Sequence, residues 1–149
     1  MNEKDKNEML EAILNENEAY QCKLWAVIMA GADTYALIGG LSTLTGGAAA
    51  ALGALSNAYC YLGVTEQHLN MVFVNSVNVS KIENRLSLPL SSITKAEVKG
   101  GILPGRKVVM LHFGKEKMKI SLMNNAIGSD IQGQKENVEM FCQIVSKLG

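Results

Sequence analysis

The sequence has 149 residues, of which 48% are hydrophobic and 19% are charged, so it is long enough for one compact domain with a real core. Its formal net charge is zero, which excludes a bulk electrostatic attraction to nucleic acid or to an anionic membrane. The three cysteines lie far apart and the N-terminus lacks the apolar segment of a signal peptide, so we predict reduced thiols in a cytoplasmic protein.

Charge is nevertheless unevenly distributed along the chain. Residues 1–18 lean acidic, whereas residues 81–119 contain nine lysines or arginines and only three glutamates. One end of the folded domain is therefore expected to be basic, although the chain as a whole is neutral.

Residues 2–14 are predicted to form a short helix. Four apolar side chains recur on one stripe at helical spacing: Met9, Leu10, Ile13 and Leu14. The side that faces solvent is expected to carry Glu3, Lys4, Lys6 and Glu8. The helix either docks on the domain or forms a dimer contact. We assign residues 1–17 to this N-terminal helix and residues 18–149 to the main domain.

An uncharged insert is predicted to follow the first strand. Residues 19–30 alternate as in a half-buried strand, and residues 34–57 then contain no charged side chain. Within them Gly39, Gly46 and Gly53 recur at every seventh position, which on a helix makes a seam of small residues. The preferred interpretation is a buried helix or loop, and the alternatives are a mobile insert and a transmembrane span. The five glycines and the lack of flanking anchors argue against the span.

Alternation with a period of two dominates the chain after the insert. Residues 58–64 and 69–75 are predicted to form a central hairpin around a polar turn at residues 65–68. Residues 84–90 continue the pattern, and because Pro89 cannot donate to a ladder, this strand is predicted either to be an edge strand or to end there.

Three further strands are predicted before the C-terminal helix. Residues 94–99 place Ala96 and Val98 inward and their charged neighbours outward. Residues 106–113 and 116–122 form a last hairpin, in which the lysines of the second strand point outward.

The final element is predicted to be an amphipathic helix over residues 134–148. Its apolar stripe consists of Val138, Phe141, Cys142, Val145 and Leu148. Asp130 or Ser129 is expected to cap its start. A run of antiparallel strands followed by a terminal helix indicates a partly open barrel or bent sandwich that is closed by that helix.

Residues 59–148 resemble the bacterial pleckstrin-homology-like family, relatives of the PH and GRAM modules. The resemblance rests on YLGVTEQHL followed by MVFVN, then LSLPLSSITKAEV, GGILPGRKVVMLHF, EKMKISL and QKENVEMFCQIVSKL. It implies a mainly β protein with α-helix, a seven-stranded bent antiparallel sandwich capped by a C-terminal helix. The short N-terminal helix and the apolar Gly/Ala insert stand beside that pattern. Family members include lipid-headgroup binders and protein-binding modules, so the fold does not fix the function.

Four basic residues form the candidate ligand-binding site: Lys95, Lys99, Arg106 and Lys107. They flank the loop at residues 100–105, and in PH-like domains cations beside such loops can meet phosphorylated headgroups. Lys115, Lys117 and Lys119 add a basic strand face. The alternative is an ordinary solvated edge, where lysines block pairing between sheets. The aromatic side chains of a nucleic-acid surface are missing, so no nucleic acid is expected.

No pattern for catalysis stands out. Residues 100–107 have glycines at phosphate-loop spacing, but a strand is predicted to follow, and Lys107 occupies the position that needs a hydroxyl. His68 and His112 have no further ligand at metal spacing. The three cysteines are predicted to be buried small hydrophobes: Cys22, Cys60 and Cys142. We therefore expect no catalytic residue, no metal and no cofactor.

The leading hypothesis is a non-catalytic PH-like module that binds a protein partner or assembles with itself as a homo-oligomer. Sheet edges, basic loops and the insert are its candidate contact surfaces. The alternative is a peripheral membrane adaptor whose basic loops contact anionic lipid. An enzyme is the third hypothesis, and it would require a concave pocket with mutually bonded polar side chains.

Overall fold

The computed structural model describes residues 2–29, 57–100, 105–125 and 130–148. The predicted insert at residues 34–57, apart from Asn57, lies outside the described residues. The same holds for residues 101–104 of the predicted loop and for Ser129. Expectations about these segments stay predictions.

The described residues form seven strands, two α-helices and one short 3₁₀ turn. The strands are β1 (Cys22–Met29), β2 (Asn57–Val64), β3 (His68–Val74), β4 (Ile82–Pro89), β5 (Lys95–Gly100), β6 (Arg106–Phe113) and β7 (Glu116–Met123). The helices are α1 (Glu3–Glu11) and α2 (Gln134–Ser146), and the 3₁₀ turn is Leu90–Ser92. Every predicted strand after residue 58 is present, within two residues of its predicted ends.

The strands form one antiparallel sheet in the order β4-β3-β2-β1-β7-β6-β5. Strand β1 pairs with β2 along its whole length but with β7 only over its last residues, Val27 to Met29. It therefore joins a first half (β1 to β4) to a second half (β5 to β7). The sheet is not closed, because β4 and β5 lie at its two edges in the described part of the chain. Pro89 lies in the edge strand β4, as predicted.

Alternate side chains of all seven strands point to a common inner side and form the main core there. Helix α2 covers this core with four buried residues, Val138, Phe141, Cys142 and Val145. Four of the five residues of the predicted stripe are thus confirmed, whereas Leu148 lies beyond the end of the helix and packs only partly against the core. The fold is the predicted open antiparallel sheet capped by a C-terminal helix.

Helix α1 covers the outer side of the first half of the sheet. Met9 and Leu10 pack in a second cluster with Trp25, Tyr61 and Val72. Full burial of a leucine such as Leu10 contributes about 1.5–3 kcal/mol, which helps to hold α1 against the sheet. In the structure, α1 docks on the domain, which is one of the two predicted alternatives.

Lys6 corrects one expectation for α1. The sequence places it on the solvent side, yet it is only 2% exposed. Its Nζ lies 3.0 Å from a carboxylate oxygen of Glu3 and 3.4 Å from the carbonyl oxygen of Lys23. Because the ammonium group has these oxygen partners, the aliphatic stem can lie under the helix without leaving a buried unpaired charge.

Val98 points to the inner side, as predicted, because it lies opposite the buried Val109 of β6. It is nevertheless 36% exposed, since β5 is an edge strand with no further strand described beyond it. Asp130 does not cap α2, since its Oδ1 accepts a hydrogen bond from the Glu3 amide at 2.7 Å. The N-cap is Gly133, which has a left-handed φ of 66° and makes no side-chain cap. Gln134 fixes this end instead, with hydrogen bonds to both backbone groups of Trp25, at 3.0 and 2.9 Å.

A network of polar side chains ties the segment after α1 to the first hairpin. Glu18 accepts a hydrogen bond from Asn15 Nδ2 at 2.8 Å and lies 2.7 Å from His68 Nδ1. Its other carboxylate oxygen accepts a hydrogen bond from the Thr65 hydroxyl. The Asn15 and Thr65 hydrogen bonds are the largest influences that lower the pKa of Glu18. The ionised form is therefore the one that the folded state favours.

Replacing Glu18 with glutamine is expected to destabilise the protein at neutral pH and to matter less in acid. Since the folded-state pKa lies below the ordinary value of 4.5, the carboxylate stabilises the fold above that pH. This contribution is lost as the pH falls through the folded-state pKa. Urea unfolding of the wild type and Glu18→Gln at about pH 7 and about pH 3 measures the difference. The exposed Glu16→Gln is the control, and an equal loss at both pH values in Glu18→Gln would contradict this account.

Candidate functional site

The outer side of the second half of the sheet carries a cluster of cations, which we call the basic face. It is formed by alternate side chains of β5, β6 and β7, on the side opposite the main core. Its charged members are Lys95, Glu97, Lys99, Arg106, Lys117 and Lys119. Five of these six are cations, so a chain of zero net charge presents a strongly positive surface here.

Strand register places these side chains in rows across the face. One row runs from Lys95 through His112 to Lys117. The next runs from Glu97 through Met110 and Lys119 to Met29 of β1. The third runs from Lys99 through Val108 to Ser121. Neighbouring rows bring cations from three separate strands within reach of one another.

Glu97 is the one carboxylate among the described side chains of the basic face, and it already has partners. Its Oε2 lies 3.1 Å from His112 Nε2, and its Oε1 lies 3.3 Å from Lys95 Nζ. The His112 and then the Lys95 hydrogen bonds lower the pKa of Glu97. Its negative charge is thus directed toward the Lys95 end of the face.

A groove of about 430 Å³ lies along the basic face. Three cations line it, namely Lys99, Arg106 and Lys119, together with Glu97 and Gly100 and the apolar side chains of Met29, Val108 and Met110. Arg106 Nε donates to Ser121 Oγ at 2.9 Å, which holds the guanidinium over β7. In the described part of the chain, no carboxylate lies within ion-pair distance of these three cations.

The four predicted ligand-binding residues do not all share this groove. Lys99 and Arg106 line it, and Lys95 lies on the same face but is paired with Glu97. Lys107 points to the inner side and lines a different, shallow groove beside α2, together with Glu139. Neighbouring residues of a strand point to opposite faces, which separates Arg106 from Lys107. The role of Lys95, Lys99, Arg106 and Lys107 in ligand binding stays a prediction.

Lys119 is the cation that the sequence analysis did not place in the candidate site. It was assigned to a basic strand face, but its position beside Lys99 and Arg106 depends on the register of three strands. The sequence contained part of the information needed to place Lys119. Val109 and Leu111 point inward, so the alternation of apolar side chains in β6 identifies which of its residues point outward. A hairpin register drawn from Gly114 would have placed Lys119 on the same face as Arg106, but the position of Lys99 depends also on the register of β5 with β6.

The cysteine thiols are buried, as predicted. Burial raises the pKa of Cys22 to about 12 and also raises the pKa of Cys60 and of Cys142. Within the described ranges, no group of three histidine, cysteine, aspartate or glutamate residues is placed to hold a metal ion. Over the same ranges, no helix combines the length and the apolar character needed to cross a bilayer.

Comparisons with known proteins show similarity of structure but not of sequence. No protein-family model matches the chain, and no curated protein matches it at the level of sequence. Among solved structures, the chain is similar to the hSac2 domain from human phosphoinositide phosphatase Sac2, with 11% identity and a TM-score of 0.52. That alignment covers 93% of this chain and 74% of the other.

A second solved structure is a DUF1696 family protein with a pleckstrin-homology domain from Shewanella loihica PV-4. It shares 15% identity over 98% of this chain and 94% of the other, with a TM-score of 0.46. At such identities a structural likeness establishes the fold alone. The open antiparallel sheet, the closing helix and the likeness to the hSac2 domain together give this chain the pleckstrin-homology-like fold that the sequence predicts.

Proposed function

We propose that this chain is a non-catalytic binding module that recognises the anionic groups of a partner through its basic face. One observation carries the proposal: Lys99, Arg106 and Lys119 line a common groove and have no carboxylate partner among the described residues. Like charges that are held close together repel one another, and an anion bound between them would remove that repulsion. PH-like folds elsewhere serve as binding modules, which agrees with this role.

The state of Glu97 supports binding rather than acid–base chemistry. Its lowered pKa keeps it ionised near neutral pH, and both of its oxygens are engaged by Lys95 and His112. A general acid needs a pKa near the working pH. Glu97 instead restricts where a negatively charged partner can lie on the face.

Contact with an anionic membrane is the alternative use of the same face. The rows of β5, β6 and β7 spread the cations over a sheet surface instead of a single loop, which suits a broad anionic surface.

Self-association is a second candidate, supported by the two sheet edges at β4 and β5. Sedimentation at increasing protein concentration distinguishes self-association from a solitary monomer.

Removing the three groove cations is expected to weaken anion binding at least about tenfold, because contacts to charged donors are among the strongest hydrogen bonds. The variant is the triple substitution Lys99→Ala, Arg106→Ala and Lys119→Ala. Binding is measured with a poly-glutamate peptide and by flotation with vesicles that contain or lack anionic lipid. Each assay is run at about 50 mM and about 500 mM salt, because screening weakens such contacts.

The matched control removes three cations elsewhere by Lys81→Ala, Lys135→Ala and Lys147→Ala, so both variants have the same net charge. Lys107→Ala is a second control, since its side chain lies on the other side of the sheet. The proposal predicts that only the groove variant loses binding. Equal losses of binding in both triple variants would show that binding depends only on the net charge of the protein, which would contradict the proposal. Absence of wild-type binding to either probe would also overturn it.

A further inference from the structure

We propose, building on the proposed function, that the groove on the basic face binds one small amphipathic anion. Lys99, Arg106 and Lys119 hold its anionic head, and Met29, Val108 and Met110 contact its apolar body. The groove volume of about 430 Å³ lies within the range of about 300–1,000 Å³ that is usual for small-molecule sites.

The hydrogen bond between Arg106 and Ser121 determines how the guanidinium group can bind the anionic head of the ligand. Its Nε is used by the Ser121 hydroxyl at 2.9 Å, which leaves the two terminal nitrogens of the guanidinium to face a ligand. A guanidinium that is fixed in this way binds carboxylate or phosphate oxygens in pairs. Lys99 and Lys119 add two further positive charges, so a phosphate monoester is expected to bind more tightly than a carboxylate.

The apolar part of the groove explains why a bare inorganic anion is not the expected ligand. Met29, Val108 and Met110 are only partly buried: Val108 and Met110 are alternate residues of β6, and Met29 of β1 lies on the far side of Lys119 in the same row as Met110. An apolar chain laid on them would be withdrawn from water, at a gain of about 0.8 kcal/mol for each buried CH₂ group. Methionine side chains adapt readily to ligands of different shape.

Glu97 limits the ligand to one anionic end. It lies opposite Met110 in the row next to Lys99, and its charge is fixed by His112 and Lys95. A second anionic group at that end of the groove would meet this carboxylate and be repelled. The arrangement therefore selects an amphiphile with a single charged head.

The methionines of this chain provide a direct test. Carbon-13 labelling of the methionine methyl groups gives one NMR signal per residue, and Met29→Leu and Met110→Leu identify the two groove signals. The controls within the same spectrum are Met118, which is buried in the main core, and Met140, which is exposed on α2. The probes are decyl phosphate, decanoate, decanol and inorganic phosphate, each below the concentration at which micelles form.

The proposal predicts that decyl phosphate shifts the Met29 and Met110 signals with saturation, that decanoate does so more weakly, and that decanol and inorganic phosphate do not. The Met118 and Met140 signals stay in place. Arg106→Ala weakens decyl phosphate binding about tenfold, and Val108→Asn, which removes apolar contact without changing the net charge, also weakens it. Lys135→Ala leaves binding unchanged.

Each other outcome overturns the inference. Equal shifts with decanol would show that the head is irrelevant, and equal shifts with inorganic phosphate would show that the apolar body is irrelevant. Unchanged Met29 and Met110 signals with every probe would exclude the groove as a ligand site. If the wild type still bound poly-glutamate or anionic vesicles in that case, the proposed function would stand and only this inference would fall.

Discussion

Replacing Phe141 with alanine is expected to lower the free energy of unfolding by about 3–5 kcal/mol, the usual cost of removing a buried aromatic side chain. Phe141 is 0% exposed and lies where α2 meets the inner side of the sheet. Domains of this size are stable by only about 5–15 kcal/mol, so the change removes a large share of the total. Urea unfolding of the two proteins measures the difference.

The neighbouring substitution Met140→Ala is the matched control. Met140 is on the same helix but 43% exposed, so its loss is expected to change stability by no more than about 0.5 kcal/mol. A similar small effect for both variants would show that α2 does not close the core. That result would contradict the fold described here.

Replacing Gly63 with alanine is expected to cost about 2–4 kcal/mol, from overpacking and from broken hydrogen bonds. A Cβ atom at this position would lie 2.5 Å from Cε1 of the Tyr20 ring. The ring cannot yield freely, because the Tyr20 hydroxyl donates to the Leu10 carbonyl oxygen at 2.5 Å and accepts from Asn70 Nδ2 at 3.1 Å. Moving Tyr20 would therefore loosen the end of α1 from the sheet.

A double-mutant cycle tests this cause directly. In a Tyr20→Ala background the ring is gone, and Gly63→Ala is expected to cost less than about 1 kcal/mol. The strong non-additivity would identify the clash with Tyr20 as the source of the effect. If the two substitutions added their effects, the close approach of Tyr20 to Gly63 would not explain the loss.

The sequence predicted the strands well because their main signal is local. The period-two alternation of residues 58–64 and 69–75 predicted β2 and β3, and in the structure it separates Leu62 and Met71 in the core from Asn70 on the opposite face. The stripe of α2 was equally clear, since its apolar residues recur at helical spacing. These patterns do not depend on which element lies opposite.

The errors arise where another part of the chain decides the outcome. Lys6 is buried because Glu3 and the Lys23 carbonyl group supply partners, and no helical pattern reveals the second of these. Asp130 binds the amide of Glu3 instead of capping α2. The contacts of Lys6 with Lys23 and of Glu3 with Asp130 join segments that are distant in sequence, so local spacing could not predict them.

The candidate site was only half predictable for the same reason. The charge pattern identified Lys99 and Arg106 as members of a basic region and grouped them with Lys107, but it carries no information on the direction of each side chain. The register of β5, β6 and β7 separates Arg106 from Lys107 and adds Lys119. A basic stretch in a sequence therefore becomes a defined surface only once the strand pairing is known.

The most direct test of the central claim is a map of backbone amide chemical shifts during titration with a short poly-glutamate peptide. If the basic face binds the peptide, the largest chemical-shift changes fall on β5, β6 and β7 around Lys99, Arg106 and Lys119, and they vanish at high salt. Changes centred on α1, or on Lys107 and the neighbouring surface of α2, would contradict the claim, as would the absence of any change at low salt.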